Sequence, residues 1–462
     1  MISKPASSQK AQLIVILLAY LFFASIFGLA YRYAINPDGI SLLRLAGYIA
    51  EGNFSQSVNT SWSPLMPWLM SPFLFFGFDG LTTARIVIAM IGAGLVLISW
   101  LLALRFDLSQ NSRFIAVLIA ALLVADWSIR NIGADILIAA LIICYLYVVT
   151  MPDILKHKRT AFFCGVVGGI AFLAKYYALP FFFAHFPVML FLRAYINEDR
   201  NKIPLRKVLI TLIVGITGFL FIASIWITIL SVKYGRLTLG AKGQIAHAVM
   251  GPKDVERRQP VFYGGLHKPE NPGAVHAFED PSPPQVRYKT WSPFESREYF
   301  IYQLNLIKEN LVYIFYHFVG QSPFFTYAFV IGILTLIPIA FLLNPLNSTK
   351  KFLYLWIITS FTVYSSGYIL LIARSPRRFY AFMLVFVFLS FHFLEELMKA
   401  FRGIQGGGAS GWRKKLLLLY LFMIIIAAFT LKPGMHLLKS MKNIAVVNYV
   451  NPYKEIAEQI NT

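Results

Sequence analysis

The run AQLIVILLAYLFFASIFGLA, from Ala11 to Ala30, decides the fold class. It is twenty residues long and carries no charge. As an α-helix it rises about 30 Å, the hydrocarbon thickness of a bilayer. Lys4 and Lys10 precede it. The run exceeds a signal-peptide core and lacks a clear small-residue cleavage site, so it reads as a first transmembrane helix that stays.

Similar runs recur along the chain. The spacing predicts about eleven spans, near 11–31, 81–103, 113–127, 134–151, 161–174, 177–193, 207–231, 324–344, 352–373, 377–396 and 414–432. Lys175, Tyr176 and Tyr177 split the fifth from the sixth, and the apolar piece 65–77 reads as re-entrant or interfacial. The composition agrees: 462 residues, 58% hydrophobic and 14% charged. Soluble domains carry about 25% charged residues, so sets of soluble domains, disordered chains and secreted disulfide scaffolds are excluded. A transmembrane β-barrel would show short alternating segments instead. The expected fold is all-α: a polytopic integral membrane protein with a surface helix in the first loop and one long outward loop. Cys144 and Cys164 both fall in apolar spans and imply neither a disulfide framework nor a metal cluster.

The net charge is +21. In a membrane protein this reads as topology, with an anionic substrate as a second source, and not as nucleic-acid binding. With the N-terminus in the cytoplasm, the inner loops collect Arg105 and Arg113, Lys156 to Arg159, Arg193 to Lys207, Lys350 and Lys351, and Lys399 to Lys415. The short loops facing the other way are poorer in cations. Residues 1–462 then form a single membrane domain. Outside the membrane lie residues 32–80, the long loop 232–321, and a short tail from 433 to 462. If the host is bacterial, this places the protein in the inner membrane.

The first outward loop is the most informative. Asn36-Pro37-Asp38-Gly39 suits a β-turn. Ile40, Leu43, Ala46 and Ala50 then recur at helical spacing, as in a short helix on the membrane surface. Asp38 is either a turn former or an acid held beside an apolar surface, where it serves as a base. Two prolines, Pro64 and Pro67, limit helix formation after Asn59. Trp62 and Trp68 suit the interfacial aromatic belt or an aromatic wall for a sugar or lipid.

These residues, in this order, resemble a family. A first span, an outward acid, a helix ending in Gly52-Asn53-Phe54, and then Ser63-Pro64-Leu65-Met66-Pro67-Trp68-Leu69 look like GT-C membrane glycosyltransferases. The likeness is to the protein O-mannosyltransferase and aminoarabinose transferase branch (glycosyltransferase family 39-like). Three further segments resemble that branch: Phe78 to Arg85, Arg130 to Asp135, and Gly168 to Lys175. The resemblance covers roughly residues 10–230; beyond it only the topology and Arg377-Arg378-Phe379-Tyr380 match loosely.

The resemblance implies a polyprenyl-phosphate-sugar donor and transfer to a glycan, lipid or protein hydroxyl on the outer face, among membrane lipids. Asp38 matches the family's first-loop catalytic acid. Many relatives have Asp-Glu there where this chain has Asp38-Gly39, which weakens any role needing adjacent acids, such as metal binding. Asp135 matches a second acidic position that aligns the acceptor or a cation, or else caps the fourth span, with Arg130 to pair with it. Asp126 is an alternative acid. No cofactor is required with certainty, and a divalent metal is left open.

The chemistry of the residues is compatible. A sugar phosphate departs as an anion and needs cations more than a general acid. One base and a basic clamp suffice, and attack opposite the phosphate inverts the sugar carbon. The clamp candidates are Lys175, which interrupts a hydrophobic run, and Arg374, Arg377 and Arg378, which lie where the positive-inside rule does not place cations. Lipid headgroups are the other reading of that arginine cluster. His247, His267, His276 and His317 show no metal-ligand spacing and read as solvated loop residues, while His185 and His392 sit in spans. The alternative function is a transporter or flippase of a lipid-linked sugar. Such proteins tend to carry repeats and mid-membrane polar sites, and no repeat is found here.

Overall fold

The computed structural model describes residues 7–196, 203–252, 290–319, 348–371, 375–403 and 409–445. All regular structure among them is helical. In chain order the helices are α1 (Ser7–Ala30), α2 (Pro37–Ala50), α3 (Phe54–Ser57), α4 (Leu65–Phe75), α5 (Gly80–Ala103), α6 (Gln110–Arg130), α7 (Asp135–Val149), α8 (Lys158–Ala174) and α9 (Ala178–Tyr195). They continue with α10 (Leu205–Tyr234), α11 (Lys242–Val249), α12 (Arg297–Val319), α13 (Ser348–Leu370), α14 (Tyr380–Gly403) and α15 (Ala409–Ala445). A 3-10 turn, Pro376–Phe379, leads into α14.

Among the described residues seven segments are long and apolar enough to cross a membrane: Ser8–Ala30, Gly80–Phe106, Gln110–Arg130, Ala178–Tyr195, Leu205–Tyr234, Ser348–Leu370 and Pro376–Lys399. The two parts of α15, bent by 47°, together make an eighth. The protein is therefore a polytopic membrane protein. The expected spans at 134–151 and 161–174 are the shorter helices α7, of 15 residues, and α8, of 17. The chain does break between α8 and α9 at Lys175. The piece at 65–77 is α4, whose 11 residues are too short to cross. The expected span at 324–344 lies outside the described residues.

Local chemistry sets the helix ends. The Asp79 carboxylate accepts from Thr82 N at 3.0 Å and caps α5. Ser109 caps α6 through Ser112 N at 3.3 Å. Gly235, at φ +64°, closes α10. α15 does not stop at Lys432 but continues to Ala445.

Contacts sort the loops into two sets, as alternating spans require. At one end the chain around Asp38, Asp135, Lys175, Lys242 and Arg377 converges. At the other, Lys350 pairs with Glu396, Lys399 with Asp107 at 3.5 Å, and Glu395 accepts from Ser109 N at 2.9 Å. α7 joins the two ends, with Asp135 at one and Tyr147, whose ring lies under the Arg105 guanidinium, at the other. His185 and His392 are core residues between helices. His185 bonds the Tyr145 hydroxyl at 2.9 Å and Ser360 Oγ at 2.8 Å; His392 bonds Phe106 O at 2.7 Å.

Candidate active site

The site forms where α2 and α7 begin, α8 ends, and the 376–379 turn enters α14. Asn36 O accepts from Gly39 N at 2.8 Å, so the expected turn is present, but it is the first turn of α2 and not a separate element. Pro37 takes the first helical place, where a missing N–H costs nothing. Asp38 therefore sits in the opening turn of a helix. The face of α2 that packs inward carries Leu42, Leu45, Ala46 and Tyr48, while Ile40 is exposed. Of the apolar residues at helical spacing, Ala46 is buried, Leu43 and Ala50 are partly buried, and Ile40 is exposed.

Asp38 is paired with a cation. Its Oδ2 is 3.2 Å from Nη2 of Arg377, and its side chain is 40% exposed. Arg377 also reaches the second acid: Nε lies 3.6 Å from Asp135 Oδ2. Asp135 in turn accepts from Lys175 Nζ at 2.9 Å. Four residues expected from sequence, Asp38, Asp135, Lys175 and Arg377, thus form one continuous ion network. Asp135 is 16% exposed and Lys175 30%, so the network is enclosed by protein but still open to solvent.

Arg378 stands beside this network. Its guanidinium lies over the Tyr368 ring, 5.2 Å from the centroid, and its carbonyl accepts from Tyr364 OH at 2.8 Å. It is close enough to act electrostatically on Asp135 and Lys175. Arg374 lies outside the described residues. Burial is the largest influence on the Lys175 ammonium and pulls its pKa down. The Asp135 carboxylate outweighs it, so the net shift is upward and Lys175 is a fixed cation at neutral pH.

Arg130 does not pair with Asp135. Its Nη1 is 3.4 Å from Asp126, and His436 Nδ1 is 3.1 Å from the same carboxylate. α6 continues helically through Arg130, which keeps positions four apart on one face, whereas the extended Asn131 turns the chain away before Asp135. Asp126 thus belongs to a separate cluster between α6 and α15.

Sequence reading missed Lys242. The ammonium lies 4.5 Å from the centre of the Trp62 ring and donates to Ser61 Oγ at 3.3 Å. Gly240 places it: its φ of +107° disfavours other residues, and an added Cβ would meet the Tyr176 ring at 2.6 Å. Ala241 N then donates to Thr60 O at 2.8 Å, seating α11 on the 59–62 loop. That loop is itself pinned. Asn59 Oδ1 accepts from Ser61 N and Trp62 N, and Tyr176 OH donates to Asn59 O at 2.6 Å. Trp62 therefore presents one face to a cation. Burial pulls the Lys242 pKa below the ordinary lysine value; Asp38 opposes this, and Lys175 and Arg378 add to it. The only signal that could have singled out Lys242 is its place after Gly240, in a loop where lysines are ordinary.

No protein-family model matches the chain, and no curated protein sequence does. Among solved structures it is similar to the crystal structure of ArnT from Cupriavidus metallidurans bound to undecaprenyl phosphate. Identity is 12%, covering 94% of this chain and 76% of that one, with a TM-score of 0.48. It is similar to the apo state of the same protein at 13% identity, 92% and 75% coverage and a TM-score of 0.46. It is also similar to the archaeal oligosaccharyltransferase AglB from Archaeoglobus fulgidus, in complex with an inhibitory peptide and a dolichol-phosphate. There identity is 11%, coverage 94% and 56%, and the TM-score 0.48. Likeness at this depth assigns no chemistry, which has to come from the residues themselves.

Those residues carry a defined charge balance. Among the described residues Lys175, Lys242, Arg377 and Arg378 lie around Asp38 and Asp135, which leaves two positive charges in excess. Among the described residues no group of three His, Cys, Asp or Glu is placed to hold a metal ion. Arg377 instead occupies the space between the two carboxylates.

Proposed function

We propose that the protein is a glycosyltransferase that moves a sugar from a polyprenyl-phosphate donor to a hydroxyl acceptor on the extracytoplasmic face of the membrane, with inversion. The observation that carries this is the excess of two cations around a pair of acids on different helices. A polyprenyl-phosphate sugar is a phosphodiester with one negative charge, and the polyprenyl phosphate that leaves becomes a dianion. A site with two uncompensated positive charges favours the leaving group over the donor, which is the differential stabilisation catalysis needs.

In this reading Asp38 takes the proton of the acceptor hydroxyl as that oxygen bonds to the anomeric carbon. The bond from the anomeric carbon to the phosphate oxygen breaks, and its electron pair stays with the phosphate. Arg377 orients Asp38 through Nη2 and offers Nη1 to a phosphate oxygen; a guanidinium has donors enough for both. Lys175, Arg378 and Lys242 complete the clamp, and Arg374 belongs to the same basic segment. Asp135 holds Lys175 and Arg377 in place. Trp62 supplies an aromatic wall. The motifs from Asp38 to Lys175 that resemble glycosyltransferase family 39-like enzymes support the same reading. The outward face rests on the distribution of Lys and Arg among the loops, and acceptor choice on the long loop 232–321.

The test is transfer of radiolabelled sugar from polyprenyl-phosphate donors in membranes, with the wild type and Asp38→Asn at equal expression. Transfer that the substitution abolishes is the expected result. Equal transfer in both removes Asp38 as the base. Translocation of lipid-linked sugar without transfer would replace the enzyme by a flippase.

A further inference from the structure

Asn36 precedes α2 as its capping residue, yet its side chain caps nothing. The amide turns instead to the loop between α6 and α7. Asn36 Nδ2 donates to Ile132 O at 3.0 Å, and Ile132 N donates to Asn36 Oδ1 at 2.8 Å. One side chain thus satisfies both backbone groups of a residue 96 positions away. Asp38 lies two residues after Asn36, and Asp135 three residues after Ile132. The tie therefore joins the short segments that carry the two acids.

Two further features serve the same join. A Cβ on Gly39 would fall 2.7 Å from Ile132 Cβ and 3.0 Å from its Cγ2, so the approach of α2 to Ile132 requires glycine there. This explains why no second carboxylate follows Asp38: the space is filled by Ile132. From α5, Arg85 donates to Tyr31 O at 2.9 Å, to Ala34 O, and to Ile129 O, gripping the same two segments.

We infer that Asn36 is a positioning residue that sets the separation of Asp38 and Asp135, and so lets a single arginine, Arg377, serve both acids. The inference rests on the glycosyltransferase reading of the site. It assigns Asn36 no contact with substrate. Loosening the tie leaves donor binding to the basic clamp and misplaces the base, so it lowers kcat and spares KM.

Asn36→Ser separates positioning from capping. Serine caps a helix as well as asparagine but cannot form the reciprocal pair with Ile132. The experiment measures kcat and donor KM in membranes for the wild type, Asn36→Ser and Gly39→Ala, together with amide hydrogen exchange over residues 130–135 and thermal unfolding in detergent. The expected result for both variants is a kcat lower by about 10–100-fold, a KM within about two-fold, faster exchange at Ile132 and a modest fall in unfolding temperature with the fold retained. Wild-type kcat in Asn36→Ser would overturn the inference. So would a fall of kcat together with a collapse of thermal stability, which marks a merely structural tie. A wild type that transfers no sugar from any donor fails the glycosyltransferase reading itself, and the inference falls with it, by a result distinct from the other two.

Discussion

Lys175 Nζ lies 2.9 Å from Asp135 Oδ1, which joins the end of α8 to the beginning of α7 at the centre of the candidate site. Each group alone would be a costly charge beside apolar helices, and each is the other's main compensation. Both stay partly open to solvent, so removing one partner is expected to cost about 1–3 kcal/mol, between the surface and fully buried cases. Lys175→Met and Asp135→Asn should each lower the unfolding temperature in detergent. The double variant should be more stable than the sum of the two losses predicts. Simple additivity would show that the pair is not coupled.

Arg377 contacts Asp38 through Nη2 and Asp135 through Nε, a bridge that depends on a flat, forked cation. Lysine keeps the charge and loses the fork. Arg377→Lys is therefore expected to reduce sugar transfer by about ten-fold or more, and Asp38→Asn by about 100-fold or more, the usual worth of a general base. Steady-state rates at matched expression check both. A fully active Arg377→Lys would mean that charge alone matters at this position.

The four ionic residues were legible because charge is rare in such a chain. Asp38, Asp135, Lys175 and Arg377 each stand at the end of an apolar run, and counting spans puts all four at the same end. Their pairing was not legible. Arg130 lies four residues after Asp126 and five before Asp135, and only the extended backbone of Asn131 decides between them. The inward face of α2 was not legible because both faces of a helix beside a membrane carry apolar residues, so periodicity does not say which one packs on α4. Lys242 gave no contrast in a polar loop, and Asn36 looked like a turn former because its bond to Ile132 spans 96 residues.

Lys242 offers a pH readout. Burial lowers its pKa, so as pH rises it loses its proton earlier than an ordinary lysine. An anionic donor favours the protonated form and binds less well once the proton is gone. The donor KM should therefore rise on the alkaline side, before ordinary lysines titrate. Lys242→Arg, which stays charged, should flatten that rise, and Lys242→Met should raise KM at neutral pH and converge on the wild type once Lys242 has lost its proton. A KM profile of Lys242→Arg that overlays the wild type would remove Lys242 from donor binding.

The place of Arg377 between two carboxylates also bears on metal dependence. Paired acids on different elements are the usual oxygen ligands of a divalent ion, which needs several such oxygens around it. Here the guanidinium takes the space between Asp38 and Asp135, and Gly39 leaves no adjacent acid to add a ligand. Two cations borne by the protein, Arg377 and Lys175, thus neutralise the two acids, and they do not dissociate. Transfer is expected to survive EDTA with little loss. Removing the guanidinium by Arg377→Met should open the space between the acids without restoring activity on addition of Mg²⁺ or Mn²⁺, because the arginine also orients the base. The check is the initial rate of sugar transfer in washed membranes, with and without chelator, for the wild type and the variant. Loss of wild-type transfer in EDTA, recovered by one added divalent ion, would show that a metal does enter the site and that Arg377 must move to admit it.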